Sequence, residues 1–410
     1  MTEWRKVKLG ELYEVHNGLS KGRQFFGSGY PFLSFSTVFN HWFLPEQLDS
    51  LVQSTKKERI ACSIKRGDVF ITRTSETMDE LGMSSVALKD YPDATYNGFT
   101  KRLRPITDEV LPEFIGYYLR SRKFRAKFMA FSSMTTRASL ANNDLLSMEV
   151  EVPEKSVQRR IGVVLSRYDA LIENYQRQIK LLEEAAQRLY KEWFVDLRFP
   201  GHQSTPIINN LPQFWQKKKL AEIFTFVRGK SYTSKELSDK GTLMVNLKNI
   251  QAFGGYKRDA EKRFTGDYKI EQSLYKGDLI MGVTDMTQER RLVGHVALVP
   301  DFNEPATFSM DLIKILPFEL PNVFLYCAMR FGGISTIISP LANGVNVLHL
   351  KPDAMMNIEM TIPSNDLIMR FTSYATSCIE EINKLENQIR NLSEARDRLL
   401  PKLMSGEKEL

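Results

Sequence analysis

A chain of 410 residues exceeds one ordinary domain and fits two or three, each able to bury its own core. Its 42% hydrophobic and 26% charged residues are the balance of a folded globular protein and exclude disordered and fibrous classes. The net charge of +7 and a pI near 9.0 favour a polyanionic partner, and positive charge is concentrated between Lys101 and Arg137, where nine Lys/Arg stand against three Asp/Glu.

The chain opens MTEWRKVKLG, without an apolar leader, and holds no run of eighteen apolar residues. Cys62, Cys327 and Cys378 are far apart and never in CxxC spacing, which argues against a disulfide framework and a zinc site. These features predict a reduced, cytoplasmic protein.

From Trp4, WRKVKLGELYEVHNGLS lines up with WQKKKLAEIFTFVRGKS from Trp215, an offset of 211. IKRGDVFITRTS (64–75) matches LYKGDLIMGVTD (274–285), and VAL at 86–88 matches VAL at 296–298, both at offset 210. RGD at 66–68 has KGD at 276–278 as its counterpart, so both are Gly-Asp turns that start a strand. EVEVP (149–153) and EMTIP (359–363) close the matching segments. One register over the whole half-chain means a tandem duplication. Each half begins with short β-rich runs such as DVFIT and DLIMGVT between Gly/Asp turns, which predicts a mainly β head.

The period then changes. Ile161, Leu165, Tyr168, Ile172, Tyr175, Ile179, Leu182, Ala186, Leu189 and Trp193 alternate spacings of four and three. Phe371, Ala375, Cys378, Ile382, Leu385, Ile389, Leu392, Arg396 and Leu399 repeat the pattern 210 residues on. Both are heptad seams. Such a stripe needs a covering partner, which the other half or another protein supplies. PGHQSTPIINNLP (200–212) could lead back along a helix of roughly 50 Å only if nearly fully extended, so an antiparallel pair is favoured. The expected fold is α+β, with two similar heads joined by two long helices in an antiparallel coiled coil with pseudo-twofold repeat. The domains are 1–155, a spacer helix 156–200, 201–363, and a second spacer helix 364–410.

LLEEAAQRLYKEWFVDLRFPG (181–201) and RDRLLPKLMSGE (396–407) resemble the ends of the two helical regions in the specificity subunits of Type I restriction-modification systems. The resemblance spans essentially the whole chain. It implies two target-recognition domains, each reading half of a split duplex DNA sequence in the major groove, and a helical spacer that fixes the gap and docks two modification subunits. It further implies that methyl transfer and cleavage, with S-adenosylmethionine, ATP and Mg2+, belong to partner modification and restriction subunits. The family's Pro-containing, Glu-Gln segment before each helix is only partly kept: PEKSVQRRI (153–161) has Gln158 after Val157, and PSNDLIMRF (363–371) has neither residue. The start of each helix is therefore in question.

Strings that imitate catalytic motifs fail on context. FFGSG (25–29) leads into Tyr30 and Pro31 rather than a helix, and GKS (229–231) has Phe224 where a phosphate-binding loop needs glycine. The five histidines form no HxH or HExxH arrangement. No catalytic centre is expected. An unrecognised methyltransferase and a two-headed protein scaffold are the competing readings.

DNA binding needs cations for phosphates and side chains that reach base edges. The basic segment RSRKFRAK (120–127) supplies Arg120, Arg122, Lys123 and Arg125 for phosphates. Base readers are expected on loops that the repeat places equivalently. These are Ser20, Lys21 and Arg23 with Lys230 and Tyr232; Arg73, Thr74 and Ser75 with Thr284, Asp285, Arg290 and Arg291; and Thr136 and Arg137 with Asn343 and Asn346. Trp193 and Phe194 are either core or a docking face for modification subunits.

Overall fold

The computed structural model describes residues 4–73, 81–132, 141–258 and 260–408. The chain forms two compact units, Met1–Asn174 with Gln388–Leu410, and Tyr175–Asn387. In the first, strand Arg5–Lys8 pairs antiparallel with Glu149–Val152, Arg5 opposite Val152, so the head closes just before helix Lys155–Tyr190 begins. In the second, Gln216–Lys219 pairs in the same way with Glu359–Ile362, Gln216 opposite Ile362, just before helix Asn365–Met404.

Each head is built on a four-stranded antiparallel sheet. Its order is Tyr13–Asn17, Thr100–Pro105, Val69–Thr72, Ser84–Val86 in the first unit. The second unit has Phe224–Arg228, Leu312–Pro317, Leu279–Gly282 and Val296–Leu298 in the same order. The strand read from DVFIT is buried on both faces, which explains its unbroken apolar run. Val69 and Ile71 join a core with Leu103 and Phe114, while Phe70 joins another with Leu33 and Tyr96. Complete burial of a ring such as Phe70 stabilises by about 2–3 kcal/mol. Ile280 likewise separates from Leu279 and Met281.

The Gly-Asp turns are as the sequence reading has them: Gly67 and Gly277 adopt φ of +89° and +84°, and the following Asp68 and Asp278 accept the N–H groups of Lys65 and Tyr275. The two VAL strings, however, are not equivalent. Val69 pairs with Val86, whereas Leu279 pairs with Leu298, so the true offset there is 212. The loop before this strand is two residues longer in the second unit: Gly82 N–H closes on Thr72 O, and Gly294 N–H on Gly282 O. A shift of two leaves every side chain on its own face, which is why the false register looked sound.

Both long helices keep their seams. Every seam residue is buried or half-buried: Ile161, Leu165, Ala186, Phe371, Ala375, Cys378 and Leu385 are buried and the others half-buried. In the first unit Ile161 and Leu165 share a core with Leu400, Leu403 and Met404. In the second Tyr190 packs on Phe371, ring centroids 5.4 Å apart, with Ala375 in the same core. The N-terminal part of each helix thus meets the C-terminal part of the other, so the pair is antiparallel.

The two helix starts are secured differently. Gln158 is 1% exposed; its Nε2 donates to Glu109 O and Pro153 O at 2.9 and 2.8 Å, and its Oε1 accepts the Leu111 N–H at 2.8 Å. Its counterpart by the 210-residue repeat is Ile368, buried in the second core. One start is a polar lock and the other an apolar plug, so the missing residues leave the second helix intact. Gln158→Leu strands three buried or partly buried backbone groups and is expected to lower stability by about 2–3 kcal/mol, read from urea unfolding of the whole chain, whereas Ile368→Val, which keeps its branch, is expected to cost about 1 kcal/mol.

The seam also departs from its repeat at Arg396, whose counterpart 210 residues earlier is Ala186. Its Nη1 donates to Asp169 Oδ1 at 2.6 Å, and its guanidinium lies over the Trp42 ring, 5.1 Å from the centroid. The Tyr117 hydroxyl donates to the same carboxylate. Burial, then the Asp169 charge, pushes the Tyr117 hydroxyl pKa far up.

Candidate nucleic-acid interface

Strand register gathers the loops. Asn17 stands opposite Lys101 and Thr72 opposite Thr100, so the loops after Asn17 and Thr72 and the turn before Thr100 share one sheet edge. In the second unit Arg228 faces Ile313 and Gly282 faces Leu312, and the same three segments converge.

Backbone hydrogen bonds weld each edge in the same way. Gly98 N–H donates to Leu19 O and Arg73 N–H to Phe99 O; in the second unit Met310 N–H donates to Lys230 O and Val283 N–H to Asp311 O. A further loop joins there, with Thr284 paired to His349 and Gln288 Nε2 donating to Val345 O at 2.9 Å. The equivalent segment 134–139 of the first unit, with Thr136 and Arg137, lies outside the described residues, as do Thr74 and Ser75.

Several candidates face water at these edges. Ser20, Arg23, Arg291, Asn343 and Asn346 are exposed, and Lys230 is half-buried. Arg291 pairs with Glu289, and Asn343 Nδ2 donates to Leu341 O. Arg73 and Arg290 are half-buried and each holds a buried Nε without a hydrogen-bond partner among the described residues. A buried donor left without a partner marks an arginine whose hydrogen bonding is incomplete in the free chain. Beside Arg73 lies Lys101, 4% exposed and donating to Asn142 Oδ1; burial, then the neighbouring Arg73 charge, holds its ammonium below the usual lysine range.

Other candidates serve the fold. Lys21 pairs with Glu58 at 2.9 Å and donates to Gln53 O, and the Tyr232 hydroxyl accepts from Lys262. Thr284 donates to Asp311 Oδ1, and Asp285 is fully buried and accepts the N–H groups of Thr287, Leu292 and Val293 and the Thr287 hydroxyl. Burial raises the Asp285 pKa, but these bonds outweigh it and hold the carboxyl below its ordinary range.

The basic segment needs the same correction. Arg120 donates to Ser84 O, Val38 O, Phe39 O and His41 O and lies over Trp42, so its guanidinium is spent on carbonyls and not free for phosphate. Lys123 pairs with Glu151, and Arg125 donates to Leu81 O. Arg122 remains exposed. Spacing along a helix could not reveal this, because the acceptors come from distant residues.

Trp193 and Phe194 are half-buried and pack against the core of the second unit. Phe194 packs on Tyr190, Phe371, Phe324 and Trp215, and Trp193 on Phe371, where the helix widens into a π turn, Lys191–Val195, as the aromatic run meets the head.

The turns carrying Phe99 and Met310 were not singled out from sequence, although both side chains are exposed at the edges. A polar turn with one large apolar residue, NGFT at 97–100, was the available signal.

His295 lies under the second edge, 6% exposed, with the Phe253 ring against it. Burial lowers its pKa below 6.5, helped by Arg330 and opposed by the Arg290 backbone and Asp285. The unfolded chain therefore binds this proton more readily. His295 favours the folded state above about pH 6.5, and stability falls as pH drops through that value towards the folded one. His295→Gln is expected to flatten this acid-side loss in melting curves between pH 5 and 7.

Residues 1–184 match the model of the family described as Type I restriction modification DNA specificity domain. The chain is 24% identical to the Type I restriction enzyme MjaIX specificity subunit of Methanocaldococcus jannaschii, covering 99% of this chain and 93% of the relative. It is 22% identical to the Type I restriction enzyme HindI specificity subunit of Haemophilus influenzae, covering 99% and 100%. In fold it resembles a Type I restriction-modification S subunit from M. genitalium, with a TM-score of 0.58 at 16% identity over 98% of this chain and 96% of that one. Residues 1–184 thus belong to the Type I restriction modification DNA specificity domain family, and the chain over its full length is similar to Type I specificity subunits.

Proposed function

We propose that the chain is the DNA sequence-specificity subunit of a Type I restriction-modification complex, with each head reading one half of a bipartite target at its loop edge. The observation that carries this is the repeated edge: two heads weld equivalent loops with the same backbone bonds while displaying different side chains, as two readers of different sequences require. Arg73 and Arg290, with unpartnered donors, are base-edge readers, and Arg23, Arg122 and Lys230 are phosphate contacts. The chain contributes recognition, not chemistry. Methyl transfer and cleavage, with S-adenosylmethionine, ATP and Mg2+, belong to partner subunits, two of them modification subunits, in the cytoplasm.

The helix pair sets the number of unread base pairs between the half-sites. Inserting one heptad into each helix, at the half-buried middle of the seam, adds about 10 Å, or about three base pairs at 3.4 Å each. Sequencing the duplexes bound by the complex with its modification subunit is expected to show both half-sites unchanged and the gap widened. An unchanged gap would refute the spacer role.

A further inference from the structure

Phe99 is 60% exposed at the centre of the first loop edge, on a turn braced from several directions. Its N–H donates to Asn97 Oδ1 at 2.6 Å, and its carbonyl accepts the Arg73 N–H at 3.0 Å. The Asn97 carbonyl accepts both the N–H and the hydroxyl of Thr100, at 3.0 and 2.7 Å. The neighbouring Gly98 N–H reaches Leu19 O at 2.9 Å. The ring therefore has its own two torsions to move about and no backbone freedom with which to bury itself.

A single exposed apolar side chain needs no explanation. The repeat makes this one informative. The equivalent turn of the second unit displays Met310, 55% exposed and tied by its N–H to Lys230 O at 2.9 Å, with Met286 and Val345 exposed on adjoining loops. By the shared backbone bonds Met310 stands where Gly98 does and Asp311 where Phe99 does, so the two equivalent turns present a large apolar side chain from neighbouring positions, Phe99 bonded through its carbonyl to Arg73 and Met310 through its N–H to Lys230. Cations around an apolar tip fit a polyanion that carries an apolar group. In the major groove of duplex DNA that group is the 5-methyl of thymine.

We propose that Phe99 and Met310 are specificity-determining residues that each contact a thymine methyl, one in each half-site. The assignment rests on the reading of the heads as DNA readers and adds the base type and the side chain that reads it.

The test uses the full chain with its modification subunit. Selection from random duplexes defines the two half-sites, and each thymine is then replaced singly by deoxyuridine, which lacks only the methyl. The wild type is expected to lose roughly fourfold in affinity at one thymine of each half-site, the effect of one buried methyl group. Phe99→Ala is expected to abolish that loss in the first half-site alone, and Met310→Ala in the second alone. Phe99→Leu, which keeps an apolar contact, should retain part of it, and unchanged melting curves would confirm that the variants are folded. The proposal is overturned if deoxyuridine affects wild type and variant alike, if it affects neither, or if a selected half-site contains no thymine. In those cases a wild-type complex that still selects a split sequence leaves the proposed function standing. If the wild type selects nothing, the function itself is what fails.

Discussion

Asp285→Ala is expected to lower stability by about 3 kcal/mol and to erase sequence preference in one half-site while sparing the other. The carboxylate is fully buried and is the common acceptor for three backbone N–H groups and the Thr287 hydroxyl, all within the loop that holds Arg290 and Arg291. Alanine leaves those partly buried donors without a partner, at about 1 kcal/mol each, and frees the loop from the shape in which it presents arginine. Because the folded pKa is depressed, this contribution is present above the ordinary value of 3.8 and is lost as pH falls through the lowered one. Asp285→Asn is the sharper comparison: it keeps the volume but turns an amide donor towards backbone donors. Chemical unfolding of both variants, alongside sequence selection, separates the stability loss from the loss of reading.

Arg396→Ala should act at the other end of the scheme, on the helix pair. Arg396 and Asp169 have side chains 14% and 27% exposed, and removing the cation leaves a largely desolvated carboxylate facing the Tyr117 hydroxyl. The expected loss is about 2–3 kcal/mol, below that for a fully buried pair because solvent still reaches part of it. The double variant Arg396→Ala with Asp169→Ala removes the orphaned charge and should recover part of the loss. A double-mutant cycle in urea reads the coupling, and strictly additive losses would mean that the pair is incidental.

The repeat and the helices were legible because both are periodic. A 3.5-residue seam and a 210-residue offset survive in sequence whatever the tertiary detail, and every seam position proved buried or half-buried. The VAL match failed for a reason of the same kind: strands repeat every two residues, so a two-residue insertion in a loop mimics true register. Locally encoded features such as the Gly-Asp turns could be read directly. The sites were less legible, since a cation's role depends on what surrounds it. Arg120 is as basic in sequence as Arg122, yet four carbonyls from a distant strand and from a distant helix and its cap accept from the one, while the other is exposed. Phe99 was passed over because nothing local distinguishes an apolar side chain that turns inward from one held out by Asn97, Leu19 and Arg73.

The most direct measurement is selection from a random duplex pool by the purified chain mixed with its modification subunit, with the bound fraction sequenced. Two short blocks at one fixed separation, each lost independently when the loop edge of one head is altered, are the predicted result. A bound pool that stays random, with the protein shown to be folded, would contradict the account.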